Sequence, residues 1–256
     1  MMDLPTPTQG ALSENMRLPD FLVLGTQKGG TTTLQHFLNQ HPKVFLAPNK
    51  EVHYFTKHWA QPITWYANHF IGASTNQRCG EITPFYLFHP EAPQRINSLL
   101  PDTKLIVLLR DPVERSISQY FHSKRLGLES LSLEHALEVE VERLRTGKQQ
   151  HLQEHSYVSR SRYLEQLDRY MQLFKTEQLL VLQSEAFFNN PAKAWRKLES
   201  FLGLSKAPIP AVIPRANPGR WEATSVSDEV RSMLRQQLLA TAQEVRRRYG
   251  FGWSWA

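Results

Sequence analysis

The sequence predicts an α/β fold, a central parallel sheet flanked by helices, and three short apolar runs carry that prediction. Phe21 to Gly25 (FLVLG), Leu105 to Leu109 (LIVLL) and Leu179 to Leu182 each read as a strand, and helix-period segments lie between and after them. A strand apolar on both sides suits the middle of a parallel sheet, where both faces are covered. Strands that alternate with helices imply right-handed crossovers that place the helices on those faces.

Taken in order, the first twenty residues carry acidic groups and three prolines, and residues 1–19 read as a flexible arm ahead of one domain spanning 20–256. FLVLG then runs into a glycine-containing turn, and Thr31 to Gln40 places Leu34, Phe37 and Leu38 at helical spacing. LIVLL leads into Arg110-Asp111-Pro112, with proline opening a helix that continues through about His122. Residues 126–156 are helical and strongly charged. Tyr163 to Phe174 is an amphipathic stretch leading to the third strand, after which Pro191 opens a helix through Leu202. The segment 207–225, rich in Pro, Gly and Arg, predicts a long loop, and Trp253 and Trp255 are expected to dock the terminus into the core. No composition break marks a second domain.

The 256 residues are 41% hydrophobic and 21% charged, enough apolar material for a sizeable core. The formal charge of +6 favours anionic partners: a phosphorylated nucleotide, an acidic glycan, nucleic acid or a membrane surface. Nucleic acid would call for a basic stripe interleaved with exposed aromatics, whereas the dense clusters, Arg143 to Lys148 and Arg246 to Arg248, read as solvated helix faces. A single cysteine, Cys79, forms no internal disulfide, and no apolar run has the length of a signal peptide or a membrane span. The expectation is a cytoplasmic protein with neither a nucleic-acid nor a membrane partner; oligomeric state is not readable.

Chemistry concentrates after the first two strands, because open α/β sheets bind ligands beyond the carboxyl ends of their strands. Between strand and helix stands Gly25-Thr26-Gln27-Lys28-Gly29-Gly30-Thr31-Thr32-Thr33. Backbone N–H groups and the helix dipole make an anion site there, Gly29 and Gly30 let the backbone close on it, and Lys28 adds a mobile charge. The hydroxyls of Thr31, Thr32 and Thr33 can cap the helix or bond phosphate oxygens. A Walker motif places lysine after its second glycine, whereas here it precedes the glycine pair, which weakens a P-loop kinase or NTPase reading without removing it. A non-catalytic nucleotide-binding module is the remaining alternative.

The loop TQKGGTTT resembles that of the sulfotransferases that use PAPS (3′-phosphoadenosine-5′-phosphosulfate), in the branch of the heparan sulfate sulfotransferases and their bacterial relatives. The resemblance implies a P-loop-containing sulfotransferase fold, PAPS as donor, PAP as product and no metal. It makes the loop, with Gly29, Gly30 and the threonines, the 5′-phosphosulfate site and Lys28 its catalytic lysine. In LIVLLRDPVERSISQYFH, Arg110 and Ser118 match the family's 3′-phosphate motif; Arg110 ends a strand and Ser118 lies eight residues later. The stretch Lys50-Glu51-Val52-His53-Tyr54-Phe55 resembles a signature whose glutamate is general base, which assigns Glu51 as base, His53 as its support and Lys50 to charge near donor or acceptor.

Glu81-Ile82-Thr83-Pro84-Phe85-Tyr86 resembles a segment beside the active site, which makes Glu81 and Thr83 candidates at the acceptor, although both also read as helix-entry residues. Arg160 and Tyr163 fall where family members approach the nucleotide, and Arg220, in RANPGR, where the heparan sulfate enzymes have a basic loop bracketed by cysteines that this sequence lacks. The expected acceptor is a hydroxyl or amine of a glycan or small molecule.

Overall fold

A computed structural model describes residues 16–210 and 225–256. Its strands are β1 (Phe21–Gly25), β2 (Val44–Leu46), β3 (Arg78–Ile82), β4 (Lys104–Leu109) and β5 (Leu179–Gln183), all parallel in one sheet ordered β2-β3-β1-β4-β5. Between them come α1 (Thr31–Leu38), α2 (Ile63–Ala67), α3 (Ala92–Leu99) and α4 (Pro112–Arg125). The short helices α5 (Leu133–Glu138), α6 (Glu140–Arg145) and α7 (Gln149–Glu154) precede α8 (Tyr163–Met171). After β5 follow α9 (Ser184–Asn189), α10 (Pro191–Leu202) and α11 (Asp228–Tyr249).

The continuous apolar runs are explained by two cores, one on each face of the sheet. Leu22 and Leu24 of β1 join Leu105, Val107 and Leu109 of β4 in one core, with Tyr163, Leu167, Ala242 and Val245 above them. Phe21 and Val23 face the other way with Ile106 and Leu108, against Leu34 and Phe37 of α1 and Trp195 and Leu198 of α10. Alternation along the strand therefore buries every residue, each large aliphatic side chain contributing about 1.5–3 kcal/mol. Trp195 meets Phe37 edge-on at 4.4 Å, which fixes α10 against α1.

β2, β3 and α11 extend beyond what the sequence reading anticipated. β3 reads RCGEI, which lacks a strand's apolar signature because Gly80 lies under the Phe21 ring, where an added Cβ would come within 2.1 Å of a ring carbon. The charged segment is broken into α5, α6 and α7 and held by two buried carboxylates. Glu129 accepts from Arg143, Tyr157 Oη and the Leu131 amide; burial pushes its pKa up, but these donors pull it down to about 2. Glu140 accepts the amides of Val158 and Ser159, each at 2.8 Å.

The cluster Arg246 to Arg248 lies on a helix, as expected, with Arg247 and Arg248 bonding Glu244 and Arg248 also reaching Asp168, whereas in the cluster Arg143 to Lys148 Arg143 pairs with the buried Glu129. Of the expected arm, residues 1–15 lie outside the described residues, while Arg17 is tied to the Ser74 and Gln77 carbonyls. No helix among the described residues is long and apolar enough to cross a membrane.

Candidate active site

The connections leaving β1 and β4 run to opposite edges of the sheet, so the carboxyl ends of these neighbouring strands open a crevice where open α/β folds bind ligands. The loop after β1 is clamped on three sides. Thr26 donates from its amide and its hydroxyl to the Leu108 carbonyl, at 3.0 and 2.9 Å; Ser184 Oγ donates to the Gly29 carbonyl at 2.7 Å. Arg110, at the end of β4, donates from Nη1 to the Lys28 carbonyl at 3.1 Å.

Gly29 has no room for a side chain, since a Cβ would stand 2.6 Å from the Leu108 carbonyl oxygen. Gly30, at φ 98°, opens α1 without a side-chain cap on the first-turn amides. Lys28 itself takes φ 67°, a left-handed conformation a lysine adopts only when its surroundings impose it. Burial, then the nearby charges of Arg125, Arg110, Arg115 and Lys50, push the Lys28 pKa down to about 8.

The structure therefore joins the lysine loop and the Arg110 turn. Asp111 caps α4 through the amides of Val113 and Glu114, and its other oxygen accepts from Trp255 Nε1 at 2.7 Å. Glu185 bridges the Asp111 amide and Trp253 Nε1, so the docked C-terminal tryptophans brace this turn. Ser118 is half-buried two turns along α4.

Arg160 and Tyr163 lie one layer behind. Tyr163 is fully buried and donates to the Arg110 carbonyl at 2.8 Å. The buried Arg160 guanidinium donates to Gln27 Oε1 in the lysine loop and to the Leu152 carbonyl, with its charge 5.1 Å from each of the Phe85 and Phe88 ring centres. Both positions support the loop and the turn from within. Arg220 lies outside the described residues.

The opposite wall carries Lys50, Glu51 and His53. Lys50 Nζ donates to Thr32 Oγ1 at 2.7 Å, joining this segment to the start of α1. Glu51 and His53 Nε2 stand 3.2 Å apart, and His53 Nδ1 is 3.1 Å from Thr56 Oγ1. When the Thr56 hydroxyl donates to Nδ1 rather than to the His53 carbonyl, which lies 3.2 Å away, Nε2–H is left to donate to the Glu51 carboxylate. His53, like Lys28, has positive φ, at 58°.

Glu81 and Thr83 stand beneath this wall, 1% and 0% exposed, and do not line a surface that an acceptor could touch. Glu81 is the penultimate residue of β3 and does not enter a helix. Its carboxylate accepts from Thr83 Oγ1 and Tyr86 Oη, each at 2.6 Å, and from Tyr66 Oη; burial raises its pKa against the pull of these bonds. Thr83 Oγ1 accepts the His53 amide and Tyr86 Oη the Phe55 amide, both at 3.4 Å, so a buried carboxylate positions the backbone that presents His53.

Sequence reasoning did not single out His122, Thr56, Gln27 or Arg115. His122 is half-buried one turn beyond Ser118, a spacing that puts both on one face of α4 and was legible in the sequence. Its pKa is pushed down to about 4 by burial, then by Lys28 and Arg125, with Glu51 opposing. Thr56 and Gln27 carried no signal, since their partners are distant or revealed only by the backbone turn.

A family model described as a sulfotransferase domain matches residues 18–216. The membrane-associated sulfotransferase kil1 of Dictyostelium discoideum is 46% identical over 120 residues, covering 46% of this chain and 25% of that protein. Heparan sulfate glucosamine 3-O-sulfotransferase 6 of Homo sapiens is 33% identical over 198 residues, covering 74% of this chain and 54% of its own length. The chain thus spans about half the length, or less, of these curated relatives. Among solved structures, a sulfotransferase from Alicyclobacillus acidocaldarius aligns with a TM-score of 0.80 at 27% identity, covering 93% of this chain and 99% of that one. With a parallel sheet, a lysine-glycine loop at its switch point and a domain match across most of its length, the chain belongs to the sulfotransferase family, in the branch shared with the heparan sulfate enzymes and bacterial relatives.

Proposed function

We propose that the chain transfers the sulfuryl group of PAPS to a hydroxyl or amine of a glycan or small-molecule acceptor, releasing PAP. The observation that carries this reading is the Arg110–Lys28 contact at 3.1 Å, which brings the two candidate anion sites together at the mouth of β1 and β4. In the proposed complex the loop amides, Lys28 and Thr31 to Thr33 hold the 5′-phosphosulfate, while Arg110 and Ser118 hold the 3′-phosphate. Glu51, with His53 beside it, accepts the acceptor's proton as the acceptor atom bonds to sulfur. As the bond from sulfur to the bridging oxygen breaks, Lys28 and the amides stabilise the charge gathering on the departing phosphate.

The relatives make heparan sulfate the first acceptor to try, and small alcohols and amines the next. The test is transfer of labelled sulfuryl from PAPS to these acceptors, read by mass spectrometry, alongside calorimetric titration with PAP. Sulfated product with PAP binding is expected; Mg²⁺-dependent ATP turnover without sulfated product would replace the reading with a kinase or NTPase. A cytosolic location belongs to the same proposal, and fractionation of cells expressing the full-length protein tests it.

A further inference from the structure

Arg115 is fully buried on α4 and forms no ion pair among the described residues, the buried Glu140 carboxylate favouring its charged form only through space. Nε donates to Ser161 Oγ at 2.5 Å and Nη2 to the Tyr157 carbonyl, both neutral acceptors, while Nη1 has no hydrogen-bond partner among the described residues. A buried guanidinium in this state is costly, and replacing such a group by an apolar one of similar size often stabilises a fold. Its two acceptors do not depend on it, because Ser116 Oγ donates to the Tyr157 carbonyl at 3.1 Å and lies 2.8 Å from Ser161 Oγ. The fold is thus hydrogen-bonded at this point without Arg115, and the charge needs another reason.

Arg115 shares its surroundings with Lys28, Arg110 and Arg160, none of which forms an ion pair among the described residues. By contrast, Arg143, Arg196, Arg231 and Arg248 each have a carboxylate partner. The cations around the lysine loop have no such direct partner, and Glu140 and Glu51 act on Arg115 and Arg160 only through space.

We propose that Arg115 is a positioning residue acting through space, whose buried, unpaired charge strengthens the hold of the Lys28–Arg110 site on its polyanionic ligand without touching it. The inference rests on the reading of that site as the PAPS pocket. Because the charge is shielded from water, its field at the pocket is screened less than that of a surface arginine. In agreement, Arg115 is among the charges that push down the pKa values of both Lys28 and Arg160, burial being the largest cause in each.

The test compares Arg115→Met, Arg115→Gln and Arg115→Lys by calorimetric titration with PAP and by thermal melting without ligand. The two neutral variants should bind PAP about tenfold more weakly, and Arg115→Met should melt no lower than wild type. Arg115→Lys, which keeps the charge and alters the shape, should retain most of the affinity. Unchanged PAP affinity in the neutral variants would overturn the inference, as would a lysine variant as weak as they are, since shape would then be what matters. Unfolding of both neutral variants would also overturn it, because the fold would then require the side chain. A wild-type protein that fails to bind PAP would instead overturn the reading of the pocket together with this inference.

Discussion

The two walls of the crevice treat buried charge in opposite ways. Beneath the Glu51–His53 wall, the Glu81 carboxylate is surrounded by three hydroxyl donors, and two of them, those of Thr83 and Tyr86, accept the amides that shape the His53 segment. Around the lysine loop, Lys28, Arg110, Arg115 and Arg160 lie close together with no carboxylate paired to any of them among the described residues. The first arrangement is complete without a ligand and holds a shape. The second carries more positive than negative charge and is favoured by an arriving polyanion.

The largest effects should come from removing the reacting groups at the crevice surface. Lys28→Ala should lower sulfuryl transfer by about 10²–10³-fold, and Glu51→Gln by about 10²–10⁴-fold. Both proteins should melt close to wild type, because neither side chain is a buried anchor. Transfer at wild-type rates in either variant would reject its assigned role. Arg110→Ala should weaken PAP by about 10–100-fold in calorimetric titration, the loss of a charge-assisted phosphate contact, with little change in melting. A larger fall in stability than in affinity would move Arg110 to the structural side of the comparison.

Glu81→Gln should do the reverse. One acceptor oxygen becomes a donor amide amid three hydroxyls, so urea unfolding should show a loss of about 1–3 kcal/mol while PAP affinity stays near wild type. Parallel loss of PAP binding would show that the walls are not independent.

The smallest effect concerns protons. Free Lys28 titrates at about 8, and a bound polyanion favours its charged form, so its pKa must rise on binding. Around pH 8 to 9, PAP binding should therefore take up a fraction of a proton, seen by calorimetry in buffers of different ionisation enthalpy. Affinity should fall as pH rises through this range, by at most about tenfold per unit, and Lys28→Met should abolish the uptake. Proton release in wild type would contradict the sign.

Legibility in the sequence followed how local each signal is. FLVLG and LIVLL were readable because burial on both faces leaves no polar residue in the strand, and TQKGGTTT because glycines and hydroxyls must occupy fixed places around an anion. The edge-side strand RCGEI was unreadable, since Gly80 is explained only by the Phe21 ring and Glu81 only by hydroxyls of Thr83, Tyr86 and Tyr66. Arg160 and Tyr163 were singled out as approaching the nucleotide, and the structure sets them behind the groups that face the crevice.

By itself the sequence determined the α/β class, the loop that can close on an anion, and the arginine turn after a second strand. These depend on residues near one another in the chain, through periodicity, glycine conformations and helix capping. Only the tertiary structure decided that Arg110 reaches the Lys28 carbonyl, that Glu81 braces rather than lines the site, and that Arg115 keeps an unpaired charge behind the pocket. Hydrogen-bond satisfaction and desolvation depend on which distant segments are packed together, and the packing of the two cores against one sheet sets that.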